Sequence, residues 1–185
     1  MNQMRGRIEL KKQIYPHNDL DNAAFHLFQQ ITKNQAENRE GIKLEIMAYL
    51  VILAFSFEAK INFIGDKVVP NWNERACFDK KIQRICACTK YDLDKSVRPF
   101  KTIYELQKLR NSLAHAKPIK IEEDETIDIT PNYVLKDLDL SSNWESKLTI
   151  EFSNQCAKDI DEVWEGLLRE ANIQPSEAIT QGESL

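Results

Sequence analysis

The chain has 185 residues, 42% of them hydrophobic, with 25 basic and 29 acidic side chains and a net charge of −4. Only 5 glycines and 6 prolines punctuate it, and no low-complexity tract or internal repeat occurs, so a single helix-rich globular domain with its own core is expected. No stretch is apolar over the length of a membrane span, and Glu9, Lys11 and Lys12 stand where a signal peptide needs an apolar run; the expectation is a cytoplasmic protein with no membrane association.

Residues 1–16 are weakly patterned and read as an arm. A first helix is expected to start after Asn18 or Asp19, either of which can cap it, with Leu20, Ala24, Phe28 and Ile31 at helical spacing and Phe25 widening the stripe. His26 lies near that stripe and reads as packing or surface. The second helix should run from about Ile42 to Ile64. Between Ile46 and Phe57 its apolar residues surround almost the whole circumference, as in the central helix of a bundle. Glu58 and Asn62 interrupt its apolar end at i, i+4 and so share a face. A buried carboxylate needs a cation or several donors, for which Arg110 is a candidate; alternatively Glu58 reaches water at the helix end. A third helix is expected over about Asn73–Thr89, with Phe78, Ile82, Ile85 and Cys86 inward and Lys80, Lys81 and Arg84 outside. The four cysteines, Cys77, Cys86, Cys88 and Cys156, have neither zinc-ligand spacing nor a Cys-x-x-Cys pair, and read as small core fillers.

Pro99 sits where a fourth helix can begin. Phe100, Ile103, Leu106, Leu109 and Leu113 form its stripe, and Pro118 ends it at or before Lys117. Beyond it, Ile119, Ile121, Ile127 and Ile129 alternate with polar residues around an acidic turn, and Leu148, Ile150 and Phe152 alternate likewise, so 119–152 reads as a strand-like, hairpin-containing insertion. Ser153 or Asn154 then caps a last helix over 153–172, with Cys156, Ile160, Val163, Trp164, Leu167, Leu168 and Ala171 inward. Residues 173–185 are polar and read as a flexible tail. The fold class expected is all-α: an up-and-down bundle of four to five helices, cored by 17–118, with a small β-hairpin-like insertion before the last helix.

Charge is distributed unevenly along this order. Residues 1–74 are neutral, 75–120 carry twelve Lys/Arg against four Asp/Glu, and 121–185 carry four against sixteen. The basic segment either faces a polyanion or complements the acidic third within the fold. It contains Arg110-Asn111-Ser112-Leu113-Ala114-His115 at the end of the fourth helix. Arg and His also favour a last helical turn simply to meet the dipole and the orphan carbonyls. On an ideal helix the two point about 140° apart and can converge only if the helix ends near Ala114.

Arg110, the adjacent Asn111 and His115 resemble the Arg-polar-x-His signature of the HEPN superfamily. Phe57-Glu58-Ala59-Lys60-Ile61-Asn62 looks like the Glu-x-x-x-Asn element of RiboL-PSP-HEPN-like members. The resemblance covers roughly residues 19–172. It implies a helical homodimer that cleaves RNA without metal or cofactor, with Arg110, Asn111 and His115 catalytic, Glu58 and Asn62 supporting them, and Lys108 and Lys117 contacting the RNA backbone. In such chemistry the neighbouring 2′-hydroxyl is the nucleophile, a histidine serves as base or acid, and a guanidinium neutralises phosphate charge. Two proton transfers prefer two histidines, which a two-fold dimer supplies. The biological settings implied are defence, a toxin system or RNA processing, with an antitoxin or other defence protein as partner. Members modified by a nucleotidyltransferase carry a tyrosine two residues after the histidine; here that residue is Lys117, so this mode of control is not expected. A non-catalytic HEPN-like module for dimerisation or partner binding is the alternative, and a helical scaffold or small-molecule binder a third reading.

Overall fold

The computed structural model describes residues 10–37, 39–117 and 144–184. The chain is an all-α helical bundle: α1 (Pro16–Ala36), α2 (Ile42–Val68), α3 (Phe78–Thr89), α4 (Phe100–Ala114) and α5 (Ile150–Glu170). Two short strands, β1 (Leu10–Gln13) and β2 (Gln181–Ser184), pair antiparallel with Leu10 opposite Ser184 and Gln13 opposite Gln181. As its all-round apolar sequence implies, α2 is the central element, packing against α1, α3, α4 and α5. Leu50, Ala54, Phe57, Ile61 and Ile64 are all fully buried. Among the described helices none is long and apolar enough to cross a membrane.

Several boundaries differ from the sequence expectation. Helix α1 begins at Pro16, before Asn18 and Asp19, because a proline at the first helical position has its φ preset and no amide hydrogen to satisfy. Phe25 does not widen the buried stripe; it is 59% exposed. Helix α3 starts only at Phe78, and Asn73 instead accepts a hydrogen bond from the Arg75 amide at 2.9 Å. Leu148, Ile150 and Phe152 are not strand residues. Thr149 caps α5, its side chain accepting from the Phe152 amide at 3.1 Å, so the helix starts three residues earlier than expected. Ser153 is already helical and donates back to the Thr149 carbonyl at 2.9 Å. The hairpin expected over Ile119–Ile129 lies outside the described residues. Cys86 and Cys156 are core fillers, their thiols pushed up by burial, Cys86 to about 11; Cys77 and Cys88 are exposed.

The largest departure is the tail. The polar sequence of 173–185 predicts a loose end, yet Pro175–Ala178 form a helical turn and β2 ties the chain end to β1. The knot of this tie is His17, buried between the rings of Tyr15, Phe63 and Trp164, whose Nε2 donates to the Ala178 carbonyl at 2.9 Å. Asn18 donates to the same carbonyl at 3.0 Å. Burial holds the His17 imidazole below its ordinary value of 6.5, with the Lys60 ammonium adding to the depression, while the Ala178 carbonyl and Asp21 pull the other way. The unfolded chain takes up this proton near pH 6.5, so the stability tied to neutral His17 is full above that pH and is lost as pH falls through the lower folded value. Melting temperature is therefore expected to fall as pH drops below about 6.5 in the natural chain, with a shallower drop in His17→Gln. Equal slopes for the two proteins would contradict this.

Candidate functional site

Helix α4 brings the basic segment against α2. Phe100, Ile103, Leu106 and Leu109 are buried, and at 100° per residue Arg110 falls in the middle of the same stripe. It therefore faces α2 rather than solvent. Its Nη2 donates to Glu58 Oε2 at 2.8 Å and its Nη1 to Asn111 Oδ1 at 2.8 Å, while the guanidinium carbon lies 5.0 Å from the centroid of the Phe55 ring. The carboxylate thus takes a cation, as its placement on α2 requires, rather than reaching freely into water.

Glu58 has a second cation. Lys81 Nζ donates to Oε1 at 2.8 Å, and the Lys81 side chain is only 1% exposed. The sequence expectation placed Lys81 on the outside of α3, and this is wrong. Lys81 lies three residues after Phe78 and four before Ile85, inside the apolar stripe, and its ammonium is buried because Glu58 meets it there. Two cations on one carboxylate leave the cluster with one surplus positive charge. That surplus sits at the exposed end of the site, since the Arg110 side chain is 23% exposed against 1% for Lys81.

The remaining residues singled out in the sequence scatter around this core. Asn62 shares the Glu58 face, but its Oδ1 is buried without a partner, as are Gln107 Nε2 and Arg110 Nε among the described atoms. His115 is exposed and stands at the C-cap of α4 with φ −116° and ψ 21°; its amide still donates to the Asn111 carbonyl at 3.0 Å. The helix therefore ends at Ala114, the condition under which Arg110 and His115 can converge, but among the described residues the two side chains are not in contact: the guanidinium is held by Glu58, Asn111 and Phe55. Lys117 is exposed beyond the helix end. Lys108 does not join Arg110. It lies about 200° away on α4 and lines a slot of about 250 Å³ with Glu105, Leu109, Ser112, Trp144 and Lys147. Sequence reasoning missed Lys81, Phe55 and Trp144; only Lys81 left a signal, its position within the stripe.

Comparison with protein-family models, with curated proteins and with solved structures gives no match for this chain.

Proposed function

We propose that the protein is a metal-independent endoribonuclease of HEPN type, in which two copies build one RNA-cleaving site from two Arg110–His115 pairs. What supports this reading is an exposed imidazole just past the end of α4, five residues after a guanidinium that is anchored by a carboxylate already shared with Lys81. An arginine whose counter-ion is shared keeps net positive charge for a phosphate, and its orientation is fixed before RNA arrives. Attack of the 2′-oxygen on phosphorus forms the cyclic phosphodiester and breaks the bond to the 5′-oxygen. One His115 removes the 2′-hydroxyl proton and its two-fold mate protonates the departing 5′-oxygen. Asn111 holds the guanidinium through its Oδ1, leaving its amide nitrogen to face the phosphate. Defence, toxin activity and RNA processing are the settings in which such cleavage would be used.

Purified protein incubated with single-stranded RNA and a chelator is expected to leave 2′,3′-cyclic phosphate and 5′-hydroxyl ends. Cutting abolished by the chelator, or 5′-phosphate products, would reject the mechanism. One observation favours the second reading, a non-catalytic HEPN-like module that dimerises or binds a partner: both terminal nitrogens of Arg110 already donate within the chain. RNA or partner binding with no cleavage under any condition would select it.

A further inference from the structure

The slot beside Lys108 has a composition that the Arg110–His115 pair does not use. Its apolar wall is the half-buried indole of Trp144 together with Leu109, and its polar rim is Lys108, Ser112 and the Lys147–Glu105 pair, joined at 2.6 Å. Lys147 Nζ also lies 5.0 Å from the Phe152 ring centroid, which fixes that ammonium at the rim. Among the described lining residues, Glu105 set against the two lysines leaves one positive charge. A volume of about 250 Å³ lies just below the range of drug-sized pockets and suits one planar group with an anion at its edge.

Its place on α4 gives the slot a direction. Lys108 and Ser112 are four residues apart and both exposed, so they line one solvent-facing stripe that leads to the end of α4, where His115 stands at the C-cap. Ser112 Oγ donates to the Lys108 carbonyl at 2.9 Å, so its lone pairs point outward as acceptors. Along the helix axis, His115 and Lys108 are roughly 10 Å apart, within reach of the next nucleotides of a single strand whose scissile phosphate is at His115.

We propose that this slot is a nucleobase subsite for single-stranded RNA: the base stacks on the Trp144 indole, Ser112 accepts from a base edge, and Lys108 and Lys147 hold the adjoining phosphate. The role of the subsite in cleavage rests on the ribonuclease reading; nucleotide binding in the slot does not. Base stacking on an aromatic side chain tolerates every base, so the subsite sets affinity and register along the strand rather than a strict sequence.

The test uses the full chain carrying His115→Ala, so that RNA survives the titration, and a short fluorescent single-stranded RNA read by polarisation. Trp144→Leu is expected to weaken binding about tenfold, with Trp144→Phe restoring most of it. Lys108→Ala, an exposed position, should lower the slope of log affinity against log salt by about one. Unchanged affinity in a normally melting Trp144→Leu chain, or an unchanged salt slope in Lys108→Ala, overturns the subsite. A Trp144-dependent affinity for uridine monophosphate equal to that for the oligonucleotide overturns it in favour of a free-nucleotide pocket. Trp144-dependent RNA binding by a natural chain that never cuts rejects the ribonuclease reading and leaves the subsite standing. His115-dependent cutting beside an affinity indifferent to Trp144 does the reverse.

Discussion

His115→Ala is expected to lower RNA cleavage on the order of 10²–10⁴-fold, with no change in melting temperature or oligomeric state. The size follows from the proposed chemistry, in which both proton transfers would pass through this residue in a two-fold dimer, once as base and once as acid. The absence of a structural effect follows from its position. The side chain is exposed, the residue lies after the last helical position, and its backbone bond to Asn111 is kept by alanine. If His115 serves only to meet the negative end of the α4 dipole, the substitution costs at most about 1 kcal/mol of stability and no activity. The two roles thus predict opposite readouts from one variant. Arg110→Ala should also abolish cleavage, but Arg110→Lys is the sharper companion. It keeps a cation near Glu58 while removing the planar fork that can span a carboxylate and a phosphate together. A fully active His115→Ala chain would end the proposed mechanism.

Much of the bundle was legible because its signals are local. The all-round apolar stretch Ile46–Phe57 identified the central helix, and the stripe from Phe100 to Leu113 with Pro118 beyond it placed α4. The need of a carboxylate at Glu58 for a cation pointed to Arg110 across 52 positions, and the two meet at 2.8 Å. What was not legible depends on partners far along the chain. β1 and β2 are polar tetrapeptides whose pairing has no pattern in either, and His17 became core only because the tail returns to cover it. The start of α5 failed for a local reason. Leu148, Ile150 and Phe152 alternate as a short strand would, but the bond from the Phe152 amide to the Thr149 side chain decides for helix. Lysine gives the clearest lesson. Lys60, at 4% exposure, and Lys81 both occupy apolar-stripe positions, and each is buried against a carboxylate from another helix, Asp21 at 3.0 Å and Glu58 at 2.8 Å. A charged residue in a helical stripe is read as an interruption when its counter-ion is distant in sequence. In three dimensions it is part of the core.

Glu58→Ala should produce the largest loss of stability of any single substitution in the site, about 3 kcal/mol or more. Its removal leaves the Lys81 ammonium, 1% exposed, with no counter-ion, and releases Arg110 from its anchor. Equilibrium denaturation measures the cost, and a loss under about 1 kcal/mol would mean that Lys81 reaches water by another route. Stability and catalysis can then be separated. Replacing a buried ion pair by apolar groups of similar shape is close to neutral, so adding Lys81→Met to Glu58→Ala should recover most of the lost stability. Arg110 in that double variant keeps Asn111 and Phe55 but not the carboxylate that fixes its fork. If Glu58 positions the guanidinium for phosphate, the restored fold remains slow, and the deficit lies in kcat. If the double variant cleaves as well as the natural chain, Glu58 serves only to bury Lys81, and the surplus charge at Arg110 needs no carboxylate to orient it.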